Sequence, residues 1–134
     1  MDTDGRNSKR IHLGEDIEHL TESIIGAAFE VSNILGHGFL EGVYRKALMH
    51  ELSIRGLSAG EEIPFEVTYK EMVLGRYFCD LLVEGSIVVE LKAVDQLNSS
   101  HVGQVLNYLK AGGIKVGLLL NFGKPRLEYR RILI

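Results

Sequence analysis

The spacing of the apolar residues changes partway along this chain, and that change limits the possible folds more than any other feature. Across Glu15–Leu35, apolar residues recur every three or four positions, which predicts an amphipathic helix of about five turns. A second helix is predicted from about Leu40 to Arg55, and Gly36 and Gly56 can end the two helices in the left-handed conformation. Beyond Gly56 the apolar residues occur in short alternating or continuous runs, which are typical of β-strands.

The remainder of the chain predicts five strands and one further helix. We expect strands at residues 63–69, 72–83, 87–92, 115–122 and 127–134, and a helix at residues 97–111. The order ααβββαββ favours an α/β fold in which helices flank a mixed central sheet. Residues 1–13 are polar and predict a flexible N-terminal segment, so residues 14–134 form the single domain expected at this length.

Composition argues against several other classes of protein. With 46% hydrophobic and 25% charged residues, the chain does not resemble a disordered one. Its only cysteine, Cys79, cannot form an internal disulfide, and its expected burial in a strand disfavours redox sensing. No secretory signal is apparent, and no apolar stretch approaches the ~20 residues of a membrane span. We therefore expect a cytoplasmic protein that does not enter membranes.

Three charged residues interrupt two strands that we otherwise expect to be buried. Residues two apart on a strand share a face, so Glu90 and Lys92 project together, and a tight hairpin can place Asp80 opposite Glu90. Unpaired buried charges are unfavourable, so these groups need one another or a metal. Two carboxylates suit Mg²⁺ or Mn²⁺, and the ammonium can hold a water or offset negative charge. A buried ion pair without catalytic function explains the same pattern.

Two helices carry polar residues that can face the same place. His101, Gln104 and Tyr108 form a polar stripe beside the apolar stripe of the third predicted helix. Gln104 and Tyr108 can hold a phosphate, a base or a metal-bound water there, although an ordinary helix edge has the same pattern. Glu41 begins the second helix, where a carboxylate favours the helix dipole. It shares a face with Tyr44, so it can also turn toward the sheet and complete a metal site.

Taken together, these residues resemble the GxxExxY family, a branch of the PD-(D/E)XK nuclease superfamily. The motifs that match are Gly38, Glu41 and Tyr44 of GxxExxY, Asp80, Glu90 and Lys92 of the Asp…Glu-x-Lys core, and Gln104 and Tyr108, similar to an extra motif of RecB-type nucleases. The similarity extends from about Ile17 to Ile134 and includes Asn121-Phe122-Gly123. One departure is Cys79, which stands where proline often precedes the aspartate.

The resemblance implies a restriction-endonuclease-like αβββαβ core and nuclease activity. Asp80 and Glu90 would bind Mg²⁺ or Mn²⁺, with the Leu91 carbonyl and Glu41 as further ligands, and Lys92 would position the attacking water. The implied substrate is nucleic acid, and our hypothesis is DNA. A homodimer or a partner protein would enlarge the small surface of such a domain. A non-catalytic binding or scaffold module that keeps the nuclease fold is the alternative.

The distribution of charge favours contact with phosphates in the last quarter of the chain. Residues 1–100 carry 9 Lys or Arg and 17 Asp or Glu, whereas residues 101–134 carry six basic residues against Glu128 alone. The six basic residues are Lys110, Lys115, Lys124, Arg126, Arg130 and Arg131. Our candidates for nucleic-acid binding are Lys110, Lys124, Arg126 and Arg130. Scattered charge on solvated strand ends is the simpler explanation.

Overall fold

Helices and strands follow the predicted order along the chain. The computed structural model describes the backbone of residues 2–134 and the side chains of residues 16–134. Its elements are α1 (Asp2–Leu35), α2 (Glu41–Ile54), β1 (Ala59–Tyr69), β2 (Met72–Val83), β3 (Ile87–Lys92), α3 (Ser99–Gly112), β4 (Val116–Asn121) and β5 (Glu128–Leu133). The flexible segment expected at residues 1–13 lies outside the described side chains and stays a prediction. None of the described helices is long and apolar enough to cross a membrane.

The five strands form one mixed sheet in the order β1-β2-β3-β4-β5. Neighbouring strands are antiparallel except β3 and β4, which are parallel and pair Ile87 with Val116 through Lys92 with Asn121. A parallel pair needs a crossover connection, and α3 provides it. The mixed sheet expected from the sequence is therefore confirmed.

Helices cover both faces of the sheet and create two apolar clusters. On one face, α1 and α2 pack against Leu81, Val89, Leu91, Leu118 and other strand residues. On the opposite face, α3 packs Val105 and Leu109 against side chains that include Val88 and Leu119. Because removal of these apolar side chains from water drives folding, the sheet is fixed between two helical layers.

The first half of β2 is not buried, contrary to our expectation for this strand. β2 pairs with β3 only across Leu81–Val83, and the rest of it pairs with β1 alone. Tyr77 and Phe78 are consequently 53% and 55% exposed. The physical reason is length, since β3 has six residues against twelve in β2. A two-stranded hairpin therefore extends past β3.

Strands β1 and β2 both change the face that they present at the level of Asp80. Leu81 packs in the cluster beneath α1 and α2, whereas Cys79, two residues earlier, packs in the cluster beneath α3. Residues two apart share a face in a regular strand, so β2 is irregular between them. Glu62 of β1 faces this point and has a φ of 51°, in the left-handed region. The irregularity marks the place where the hairpin leaves the sheet.

Candidate active site

Asp80 and Glu90 meet where β2 and β3 separate. The last backbone pair between these strands is Leu81 with Val89, so Asp80 and Glu90 are next in register. The Asp80 backbone N–H donates to Glu90 Oε1 at 3.0 Å, and the Leu91 N–H donates to Asp80 Oδ2 at 2.8 Å. The two carboxylates thus replace the backbone ladder across the widening gap. The predicted approach of Asp80 to Glu90 is present.

Lys92 joins the carboxylates to α3. Its Nζ lies 3.8 Å from Glu90 Oε2 and donates a hydrogen bond to Gln104 Oε1 at 2.9 Å. Gln104 Nε2 in turn donates to the Tyr108 hydroxyl at 3.0 Å. Residues four apart on a helix lie one above the other, so this row follows directly from the Gln104–Tyr108 spacing. The polar stripe of α3 therefore faces the charged residues of β3.

Burial first, and then neighbouring negative charge, raises the pKa of Glu90 and of Tyr108. Glu90 is 3% exposed, and its burial, together with the negative charge of Asp80, holds its pKa well above that of a free glutamate. Burial first, and then the charge of Glu90, raises the pKa of Tyr108 to about 12. Tyr108 is therefore a neutral hydrogen-bonding group at physiological pH. Glu90 and Asp80 repel each other in a way that a cation between them would relieve.

The donor set fits a hard divalent cation. Two adjacent carboxylates and backbone carbonyls are oxygen ligands of the kind that Mg²⁺ and Mn²⁺ prefer, and Mg²⁺ usually keeps several waters. Among the side chains of residues 16–134, no group of three or more His, Cys, Asp or Glu forms a metal cluster. Asp80 and Glu90 thus form the compact part of the site, without Glu41 in immediate contact with both.

Glu41 stands close enough to the site to sense its charges. Its side chain keeps contact with solvent. Surrounding protein and then the charge of Asp80 raise its pKa, while Lys92 and Arg45 act in the opposite direction. Arg45 was not among the residues expected at this site; its Nε also lies 3.6 Å from Glu61 Oε2. Its signal was its position one helical turn after Glu41.

Tyr44 fixes the loop that leads into Glu41. Its hydroxyl donates to the Gly36 carbonyl at 2.7 Å and accepts from the Phe39 N–H at 3.2 Å. The ring is fully buried and stacks on Phe122, with centroids 4.8 Å apart. Gly36 has a φ of 71°, so it ends α1 in the predicted left-handed conformation. Tyr44 therefore supports the position of Glu41 rather than facing the carboxylates.

A buried asparagine fixes the segment that follows Lys92. Asn121 is fully buried; its side chain accepts from the Val94 N–H at 3.0 Å and donates to the Val94 carbonyl at 2.9 Å. Phe122 N–H donates to the Lys92 carbonyl at 2.8 Å. Gly123 follows, and a Cβ there would stand 2.3 Å from the Val94 carbonyl oxygen. These three residues hold the end of β3 and hence Lys92.

The basic residues of the last quarter of the chain do not all lie together. Lys124 and Arg126 are in the β4–β5 loop, at the end of the sheet where Lys92 pairs with Asn121. Lys115 precedes β4 at the opposite end, and Arg131 bonds Glu18 of α1 at 3.0 Å. The basic positions are therefore divided between the ends and faces of the sheet.

Lys110 and Arg130 occupy two other positions. Lys110 is exposed in the last turn of α3, beside Asn107 and Tyr77. Arg130 lies in β5 opposite Leu119. Burial acts to raise the pKa of Glu128, but hydrogen bonds from Asn121 and the Leu97 N–H, and then the charges of Lys124 and Arg130, lower it. Tyr77 was also unanticipated as a surface residue. The signal was the length of the predicted strand at residues 72–83, twice that of the one after it.

Comparison with known proteins identifies a family and a solved structure of similar fold. A family model described as the PD-(D/E)XK nuclease superfamily matches residues 18–132. The crystal structure of SSO0001 is similar, with a TM-score of 0.56 and 22% sequence identity over 93% of this chain. The chain covers 61% of that solved chain, and at this identity the likeness concerns the fold alone. No curated protein sequence matches this one significantly.

Proposed function

The chain belongs to the PD-(D/E)XK nuclease superfamily and has its restriction-endonuclease-like fold, and from this premise we propose a metal-dependent nuclease that hydrolyses phosphodiester bonds of DNA. The observation that carries the proposal is the grouping of Asp80, Glu90 and Lys92. Each carboxylate accepts a hydrogen bond from a backbone N–H of the opposite, diverging strand, and the Lys92 amine lies 3.8 Å from Glu90.

Each residue of the site has a distinct part in this proposal. Asp80, Glu90 and the Leu91 carbonyl would hold Mg²⁺ or Mn²⁺, with Glu41 as a further acidic group near enough to sense the charge of Asp80. A bound divalent cation supplies Lewis-acid stabilisation of the charge that develops on the phosphate. Lys92 donates to the attacking water or to a phosphate oxygen. Gln104 is a positioning residue, because its carbonyl oxygen accepts from Lys92.

Finer assignments belong to the same proposal. We assign the chain to the GxxExxY branch on Gly38, Glu41 and Tyr44, since Tyr44 supports the loop before Glu41. Lys124, Arg126, Lys110 and Arg130 are the residues assigned to contact with phosphates. A cytoplasmic location and a homodimer or protein partner stay predictions.

The test is cleavage of a panel of labelled DNAs and RNAs with Mn²⁺ or Mg²⁺. Wild-type protein is compared with Asp80→Asn and with Asp16→Asn, which alters an exposed aspartate near the β2–β3 turn, at the other end of the sheet. We expect Asp80→Asn to lose more than the roughly 10- to 100-fold typical of outer partners of metal ligands, and Asp16→Asn to lose nothing.

The result separates the nuclease from a scaffold with the same fold. Absence of cleavage of every substrate, with no Mn²⁺ binding that depends on Asp80 and Glu90, would contradict the proposal and favour the scaffold. Equal activity of Asp80→Asn and wild type would contradict the assignment of the site.

A further inference from the structure

A groove runs along α3, between this helix and the protruding β1–β2 hairpin. It consists of two hollows of about 460 and 480 Å³, and Tyr77 and Asn107 line both of them. Each hollow is within the roughly 300–1,000 Å³ range of ligand pockets. Gln104 and Tyr108 line the hollow of 460 Å³, and Lys110 lines the hollow of 480 Å³. Because Gln104 bonds Lys92, the groove begins at the candidate catalytic residues.

We propose that this groove binds an unpaired strand of nucleic acid, with one base stacked on Tyr77, and so selects substrates that have a single-stranded segment. The inference rests on the proposed function for its starting point, since the same strand would continue to Lys92 and the carboxylates. It adds a substrate class and a specificity residue that the superfamily motifs do not contain.

Tyr77 has the position and exposure of a stacking platform. Its ring centroid lies 6.4 Å from that of Tyr108 with an interplanar angle of 57°, so Tyr108 supports it, while 53% of the residue stays exposed. A base can stack on an aromatic side chain only if one face of the base is free. In a continuous duplex both faces of each base are covered by neighbouring bases, so an unpaired base fits this site better.

The walls of the groove are held at a fixed distance. Phe65 of β1 is buried against α3, and a Cβ on Gly112 would stand 2.7 Å from its ring. Glycine at position 112 is what permits this close approach of hairpin and helix. The stacking surface is therefore held against α3, although the hairpin itself extends beyond β3.

Polar groups that can contact bases and phosphates line the groove beside the Tyr77 ring. Asn107, exposed in the middle, has an amide that can donate to and accept from a base edge. His101 Nδ1 accepts from the Asn98 N–H at 3.2 Å, which leaves Nε2 as the ring nitrogen that can donate. Lys110 offers a positive charge for a phosphate, and the carboxylate of Glu66 nearby is engaged by Arg76 at 3.4 Å.

The experiment measures binding in EDTA, so that cleavage is not required. Fluorescence anisotropy is recorded with labelled 12-nucleotide single-stranded DNA, the matching RNA and a duplex of the same sequence. The variants are Tyr77→Leu, which keeps an apolar contact with Tyr108, and Tyr77→Phe, which keeps the ring. Tyr69→Leu is the matched control, because Tyr69 is 61% exposed on the same hairpin and outside the groove.

We expect Tyr77→Leu to weaken single-strand binding by roughly 5- to 150-fold, which is the effect of removing one base–aromatic stack, and duplex binding by less than about twofold. Tyr77→Phe and Tyr69→Leu should bind like wild type. The DNA and RNA arms show whether the groove accepts both sugars. Thermal melting of Tyr77→Leu checks that the fold persists.

Three outcomes would overturn the inference: equal weakening of single-strand and duplex binding, no effect of Tyr77→Leu, or no single-strand binding by wild type. Cleavage assays with Mn²⁺ distinguish failure of the groove from failure of the nuclease. Tyr77-dependent binding without any cleavage would support the groove and contradict the proposed function. Cleavage of single strands that is indifferent to Tyr77→Leu would do the opposite.

Discussion

Glu90 is a buried acid beside another acid, and this has a consequence for stability. Its pKa is raised above the ordinary value of 4.5, so the folded protein keeps this proton at a pH where the unfolded chain has lost it. The free energy of unfolding therefore falls as the pH rises above 4.5 toward the raised pKa. The protonated Glu90 therefore contributes its full stabilisation only below pH 4.5, the ordinary pKa of a glutamate.

We predict that Glu90→Gln raises the melting temperature of the metal-free protein at pH 8 by several degrees and leaves it unchanged near pH 4. Glutamine can still accept from the Asp80 N–H, so the substitution removes mainly the charge. Glu30→Gln, an exposed site on α1, is the control and should have little effect at either pH. A lower melting temperature of Glu90→Gln at pH 8 would mean that the carboxylate stabilises the fold.

Gln104 is expected to act through Lys92. Its amide is oriented by two contacts, since it accepts from Lys92 and donates to Tyr108. We predict that Gln104→Ala lowers kcat about 10- to 100-fold, as loss of an outer partner does, with Mn²⁺ affinity within about twofold of wild type. Gln96→Ala, an exposed glutamine before α3, should leave both unchanged. A parallel loss of Mn²⁺ affinity would show that Gln104 supports the carboxylates instead.

Strand parity and helix spacing were enough to predict most of the contacts of the site. Glu90 and Lys92 share a face because they are two apart, and Gln104 reaches Tyr108 because they are four apart. The hydrogen bonds between each carboxylate and the opposite strand were not predictable. They arise because the ladder ends at Leu81, which depends on where β2 diverges from β3.

The β4–β5 connection determines where β3 ends. A Cβ at position 123 would collide with the backbone of Val94 and Ala93 at 2.3–2.7 Å, and backbone cannot yield as a flexible side chain does. We predict that Gly123→Ala destabilises the protein by at least about 1–3 kcal/mol and slows cleavage through displacement of Lys92.

The control for this prediction is Gly42→Ala in α2, where an added Cβ meets nothing within 4 Å. That variant should keep its stability or gain at most about 0.5–1 kcal/mol, which is the preference for alanine over glycine in the interior of a helix, because Gly42 lies in the first turn. Urea denaturation of both variants measures the difference. Unchanged stability of Gly123→Ala would show that the loop can shift freely.

The α1–α2 connection depends on one hydroxyl group. Tyr44→Phe keeps the stack on Phe122 but leaves the Gly36 carbonyl and the Phe39 N–H without this partner. We predict a loss of about 1–3 kcal/mol in the free energy of unfolding, because two partly buried hydrogen bonds, each worth about 0.5–1.5 kcal/mol, are removed together. Tyr69→Phe, on the exposed hairpin, should change it by less than about 0.5 kcal/mol. Equal effects in urea denaturation would contradict a special role of the Tyr44 hydroxyl.

The order of helices and strands was predictable because the pattern of apolar residues in each segment indicates its type without reference to the others. The bounds of β2 and β3 agree with the expected residues 72–83 and 87–92. The exposure of Tyr77 and Phe78 was not predicted. A strand rich in aromatic residues is expected to be buried, and its sequence does not show how far the neighbouring strand extends. Burial of a strand depends on what covers it, and here β3 ends before it can cover the hairpin.

The protein as a whole is acidic, with a formal net charge of −3, so any polyanion must meet a local positive region. Such a region cannot be located from sequence position alone. Lys124 and Arg126 lie at the Lys92 end of the sheet, while Lys115 and Arg131, from the same quarter of the chain, do not. The parallel pairing of β3 with β4 decides this division.

The division provides a test in which the change of net charge is held constant. Each phosphate contact contributes roughly −0.7 to −0.9 to the slope of log affinity against log salt, so loss of two contacts should flatten it by about 1.4 to 1.8. We predict this flattening for the Lys124→Ala, Arg126→Ala double variant, with weaker binding to every sequence and unchanged Mn²⁺ affinity. The Lys115→Ala, Arg131→Ala double variant should keep the wild-type slope. If both variants flatten the slope equally, net charge and not the position of Lys124 and Arg126 governs nucleic-acid binding.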